Sequence, residues 1–159
     1  MFMFKIDKAH AHCDIPCKVY DPSVIQYSCL SIVRFMDLIN DELKDAEMSA
    51  SKIAHLSRLT AVKEQHAKEV KSEVATIWGD YFKDPQISKY PEIHELTHSI
   101  MQFASKCKQE IDRNNGVELL KKVNKFTEIF WETKNVETKK FYAPYPPELV
   151  IVCPVLKSV

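Results

Sequence analysis

Apolar residues recur along this chain at the alternating steps of four and three that place them on one face of a helix. Ile25, Cys29, Ile32, Met36, Ile39 and Leu43 form the first such stripe, which predicts a helix over residues 23–46 started by Asp21-Pro22. Ile53, Leu56, Val70, Val74, Ile77, Trp78 and Tyr81 mark a second over residues 51–82. Its centre, Lys63-Glu64-Gln65-His66, is polar and must face either water or something functional. Pro85 ends that helix, and Tyr90-Pro91-Glu92 opens a third with the face Ile93, Leu96, Ile100, Phe103, Ala104, Cys107 and Ile111, closed by Asn114-Asn115-Gly116. Val117, Leu120, Val123, Phe126, Ile129 and Phe130 give a fourth stripe that ends near Lys134. Four stripes with short connections predict an all-α fold, an antiparallel four-helix bundle. Beyond Asn135 the character changes: Tyr142-Ala143-Pro144-Tyr145-Pro146-Pro147 is polyproline-like and Leu149-Val150-Ile151-Val152 is a short apolar run. Residues 135–159 are therefore expected to form an extended, Pro-rich tail wrapped on the bundle or on a neighbouring subunit.

Composition narrows the picture little. The chain has 159 residues, enough for one domain, with 2 glycines, which suits helices. Lysine plus arginine equals aspartate plus glutamate at 22 each, so no charge excess points to nucleic acid or to a membrane surface. The apolar runs fall far short of the ~20 residues that span a bilayer, and Met1-Phe2-Met3-Phe4 is too short for a secretory apolar region. The expected location is intracellular, in the cytoplasm. Five cysteines, an odd set in a chain of this size, read as reduced thiols and not as a disulfide scaffold. Cys29 and Cys107 fall on helical stripes as small core residues, and Cys153 lies in the tail.

Cys13 and Cys17 are different, because His12-Cys13-Asp14-Ile15-Pro16-Cys17-Lys18-Val19-Tyr20 packs two thiols and an imidazole into nine residues ahead of the first helix. Thiolates are soft, strongly donating ligands and an imidazole is an adaptable one, so the three suit a single transition ion. Pro16 disfavours helical geometry at Ile15, which sets the two cysteines across a tight bend instead of one helical turn apart. Taken alone, without the surrounding run, the spacing favours two idle or buried thiols.

The complete run His-Cys-Asp-Ile-Pro-Cys-x-Val-Tyr-Asp-Pro, followed by the helical pattern, resembles the nickel superoxide dismutases. Val62-Lys63-Glu64-Gln65, Trp78-Gly79-Asp80-Tyr81-Phe82-Lys83, Lys89-Tyr90-Pro91-Glu92-Ile93-His94 and Ile129-Phe130-Trp131-Glu132-Thr133-Lys134 are also similar to family segments, in the family's order. The resemblance covers residues 12–134. It implies that residues 1–11 are a propeptide cut off at Ala11-His12 by a maturation protease, leaving a free α-amine on His12. It implies nickel held by that amine, the amide nitrogen of Cys13, the thiolates of Cys13 and Cys17, and the His12 imidazole in the oxidised state. It further implies superoxide as substrate, cycling between Ni(III) and Ni(II), a homohexamer, and roles near the metal for Tyr20, Tyr81 and Lys83. A phenol can order water and restrict access there, and a lysine favours an approaching anion.

Three positions depart from the family pattern. Lys18 stands where glycine is common, His66 where some members carry arginine, and Ser28 where some members place a glutamate that hydrogen-bonds the axial imidazole. None removes a ligand. Two readings from other classes stand beside this one: a non-enzymatic nickel, copper or zinc carrier using His12, Cys13 and Cys17, and a dithiol switch in which the two cysteines form a disulfide. For His10, His55, His94 and His98 an ordinary surface or half-buried helical role is expected, and His66 alone is placed near the metal-binding hook formed by residues 12–20.

Overall fold

The computed structural model describes residues 19–158; residues 1–18, which hold His12, Cys13, Cys17 and the expected propeptide, lie outside them. The chain is mostly helical. Helix α1 runs Ser23–Glu42 behind Pro22, which has no backbone N–H to leave unpaired at a helix start, and Asp21 Oδ1 accepts from the Ser23 amide at 2.8 Å. Helix α2 runs Ala50–Thr76, with Ser49 accepting from the Lys52 amide at 3.2 Å as its N-cap. A π-helical turn, Ile77–Tyr81, closes on the bond from the Phe82 amide to the Ile77 carbonyl at 3.3 Å. Helices α3 (Asp84–Lys89), α4 (Ile93–Gln109) and α5 (Arg113–Thr133) follow.

The four long helices pack in a closed order, α1 on α2 and α5, and α4 on α2 and α5. Ile25, Ile32, Met36, Val70, Val74, Ile100, Ala104, Val123, Phe126 and Phe130 are buried between them, each contributing about 1.5–3 kcal/mol for the larger side chains. Among the described residues no helix is long and apolar enough to cross a membrane.

Several boundaries differ from the sequence expectations. Pro85 does not end the second helix; it opens the short α3, which periodicity over so few residues does not reveal. Gly116 does not close the third helix: it lies in the first turns of α5, where a Cβ would stand 2.7 Å from Val33 Cγ2, so it serves the close approach of α5 to α1. The polar centre of α2 is not all solvated. Lys63 is 1% exposed, its Nζ donating to the carbonyls of Cys107, Lys108 (3.1 Å) and Glu110 (2.8 Å) where α4 ends. That ammonium satisfies carbonyls which no helical amide can reach and complements the negative end of the α4 dipole.

Helix α5 ends in a Schellman motif: Asn135 takes a positive φ of 56°, its amide donates to Glu132 at 3.1 Å, and the Val136 amide donates to Trp131 at 3.0 Å. The tail then departs from the all-α expectation. Strands β1 (Thr138–Tyr142) and β2 (Val150–Pro154) form a two-stranded antiparallel sheet with Phe141 opposite Ile151. Ala143, Ile151 and Val152 are buried, so the apolar run is the docked side of a hairpin. Periodicity missed it because Thr138-Lys139-Lys140 carries no alternation to announce a strand.

Candidate metal centre and its surroundings

The described residues begin at Val19, so the predicted ligands His12, Cys13 and Cys17 lie outside them, whereas Tyr20, Tyr81 and Lys83 lie within. Of the predicted residues it brings two together: the rings of Tyr20 and Tyr81 lie 5.8 Å apart, tilted by 55°. Tyr20 is three residues after Cys17, and Tyr81 closes the π-helical turn. That turn inserts one residue into the α2 register and swings Tyr81 toward the start of α1; such turns are frequent where a helix carries function.

Tyr81 is held firmly. Thr133 has one hydroxyl proton and donates it to the Phe130 carbonyl at 2.6 Å, so its oxygen accepts from the Tyr81 phenol, also at 2.6 Å. The Tyr81 ring packs against Phe82 at 5.3 Å and Phe130 at 4.8 Å. Lys134 Nζ sits 4.7 Å over the Tyr81 ring and 5.0 Å from that of Phe130, a cation held by aromatic faces. The predicted cation, Lys83, is exposed and turned back instead, donating to the Gly79 carbonyl at 2.7 Å. Lys134 stood in the family-like segment Trp131-Glu132-Thr133-Lys134, but nothing in its spacing tied it to Tyr81.

Two of the three departures, Ser28 and His66, meet at one carboxylate. Glu69 Oε2 accepts from Ser28 Oγ at 2.6 Å and lies 3.2 Å from His66 Nδ1, while the His66 ring stacks on Phe35 at 5.9 Å. Because the carboxylate stands between hydroxyl and imidazole, His66 cannot act as base toward Ser28, and the trio is no nucleophilic triad. Glu69 was not singled out by sequence. His94 accepts from Trp78 Nε1 at 3.0 Å, an ordinary packing role.

Thiol chemistry separates the remaining cysteines from the hook. Cys29 and Cys107 are buried in the core; burial pushes the Cys29 thiol well above its ordinary value and that of Cys107 up to about 12. Both stay protonated and make poor ligands or nucleophiles. Among the described residues no group of three or more His, Cys, Asp or Glu side chains gathers closely enough to hold a metal ion. His12, Cys13 and Cys17, whose two thiolates, imidazole and adjacent backbone nitrogens are donors of the kind that suits nickel, lie outside the described residues.

Residues 7–134 match the family model described as nickel-containing superoxide dismutase. The chain is 35% identical over 125 residues to the nickel superoxide dismutase of Streptomyces coelicolor, covering 78% of this chain and 88% of that one. It is 34% identical over 128 residues to that of Streptomyces seoulensis, covering 80% and 91%. Among solved structures, native nickel superoxide dismutase superposes with a TM-score of 0.69 at 33% identity, covering 78% of this chain and 99% of that one. Its apo form gives 0.65 at 31%, covering 74% and 98%.

Proposed function

The chain belongs to the nickel-containing superoxide dismutase family, and from that premise we propose that His12, Cys13 and Cys17 hold its nickel and that Tyr20 and Tyr81 guard the approach. It is an oxidoreductase that uses nickel and converts two superoxide anions and two protons into dioxygen and hydrogen peroxide. Bound nickel supplies one-electron redox chemistry, which strong thiolate and nitrogen donors bring within reach of superoxide. The observation that carries the reading is the intact run from His12 to Tyr20 inside the matched span 7–134. The carrier and dithiol-switch alternatives are not favoured, since the matched relatives are dismutases.

The described residues supply the rest. Tyr81, its own proton committed to Thr133, acts as a fixed wall against which Tyr20 packs, narrowing access and ordering water beside the hook. Lys134, beside that wall, and Lys83, at the end of the π-helical turn, add positive charge that favours an approaching anion although the whole chain is neutral. Glu69, linked to Ser28 and His66, supplies a carboxylate from α2 on the α1 face, beside the position where the family resemblance implies a glutamate.

In the same reading residues 1–11 are a propeptide removed by a protease at Ala11-His12, residues 12–134 are the dismutase unit, an antiparallel four-helix bundle with an N-terminal hook, and residues 135–159 are an appended tail. The mature chain forms a cytoplasmic homohexamer. The test is to coexpress the chain with a maturation protease and measure N-terminal mass, nickel content and superoxide consumption together. Nickel and activity are expected only on chains beginning at His12, and Cys13→Ser and Cys17→Ser are expected to lose both. Activity retained in either variant, or in the uncut chain, overturns the ligand assignment.

A further inference from the structure

The hairpin lies beyond residue 134, where the family match stops. Its two edges are treated differently. The bonds from the Val155 amide to Glu137 (2.8 Å) and from the Ala143 amide to Leu149 (3.0 Å) set the ladder, so the polar groups of Val150 and Val152 point away from β1. The bundle closes that outward edge with side-chain amides. Gln26 Nε2 donates to the Val152 carbonyl at 2.9 Å, the Val152 amide donates to Gln26 Oε1 at 2.7 Å, and Asn124 Nδ2 donates to the Val150 carbonyl at 2.7 Å. Gln26 is 4% exposed, so each of these bonds replaces water that cannot reach the site.

Gln26 sits in the first turn of α1, six residues after Tyr20. That turn has no side-chain N-cap bond from the Pro22 position and no acidic residue of its own, so its local side-chain tie is the bond from the Ser23 amide to Asp21. Two tertiary contacts add to it. One is the hairpin, through Gln26 and through Tyr27 against Tyr145 at 6.4 Å. The other is Tyr20 against Tyr81, whose anchors Thr133 and Lys134 immediately precede the turn into the hairpin.

We propose that the C-terminal hairpin is a brace for the N-terminal hook, and that Gln26 is the positioning residue through which it acts on the first turn of α1. Only the nickel arm of its test rests on the hook reading given above. Wild type, Gln26→Ala, Gln26→Leu, a chain truncated after Asn135, and that truncation carrying Gln26→Ala are compared by hydrogen–deuterium exchange over residues 20–28 of the metal-free full chain and by nickel release from loaded mature chain into EDTA. Gln26→Ala and the truncation are each expected to speed both by roughly tenfold. Exchange in α4 is expected to stay as in wild type, and the combined variant to add nothing to the truncation. Wild-type exchange over residues 20–28 in Gln26→Ala and Gln26→Leu overturns the brace, and so does an equal acceleration in α4. If the truncated chain does not fold, the two Gln26 variants decide. If wild type takes up no nickel, the hook reading fails while the exchange arm still judges the brace.

Discussion

Lys63 and His66 stand three residues apart in the same polar stretch of α2, yet they belong to different regions of the molecule. Lys63 turns to α4 and ends in the dry interior, where its ammonium closes three carbonyls. His66 turns to α1, stacks on Phe35 and shares Glu69 with Ser28 near the surface. A polar interruption in an apolar stripe therefore carries no single meaning. What decides is the element it faces: a helix end starved of donors makes a lysine structural, whereas a helix flank leaves a histidine free to take a carboxylate.

The comparison is broken most forcefully at Lys63. Lys63→Met keeps the stem but leaves three carbonyls at the end of α4 without their donor, with an expected loss of about 3 kcal/mol. For a chain of this length that corresponds to a fall in Tm of roughly 6–12 °C in a thermal melt. If Lys63→Met melts as wild type does, the ammonium is not the cap of α4.

The sequence made the four long helices and the core role of Cys29 and Cys107 legible, because periodicity is a local property, and the run from His12 to Tyr20 pointed to the family that the comparisons show. The rest was settled by partners distant in the chain. Glu69 reads as one more helix carboxylate until Ser28, 41 positions away, is found against it. Gln26 reads as a polar gap in the first stripe until Val152, 126 positions on, fills both ends of its amide. Lys134 was visible in a family-like segment, but its place over Tyr81 depends on a π-helical turn that no spacing rule announces.

Alkaline pH sharpens the same comparison, because Cys107, whose carbonyl Lys63 caps, also has its thiol pushed up to about 12, chiefly by burial. A pKa raised in the folded state gives stability that is complete below the unfolded value of 9.0 and is lost as pH rises through about 12. The expected slope above pH 9 is a loss of about 1.4 kcal/mol per pH unit for this thiol, with Cys29 adding to it in the same direction. Burial acts oppositely on Lys63, lowering its pKa, so that group leaves stability flat near neutral pH and raises it only as pH climbs toward 10.5. Denaturant melts between pH 7 and 11 check the sum. Cys107→Ala should flatten the decline, and an unchanged slope would remove Cys107 from the account.

At the hook end the corresponding probe is Tyr81→Phe, which leaves the ring contacts with Tyr20 and Phe130 but removes the bond to Thr133. About 1 kcal/mol of stability is expected to go. With Tyr81 in the role proposed for it, superoxide consumption per bound nickel should change more than nickel content does. A variant with wild-type turnover and reduced nickel would instead assign Tyr81 to metal retention.

The smallest expected effect is the most discriminating. Glu69 is partly exposed, so Glu69→Gln alone should cost only about 0.5 kcal/mol, the scale of a solvent-screened contact. In a double-mutant cycle, Ser28→Ala and Glu69→Gln should couple by about 0.5–1 kcal/mol, since the two side chains are the partners of one hydrogen bond. Lys63→Met and Glu69→Gln share no partner and face different helices, so their effects should add to within about 0.5 kcal/mol. Coupling across the second pair would mean that the two faces of α2 respond as one unit, and the division drawn between a structural lysine and a carboxylate facing α1 would fall.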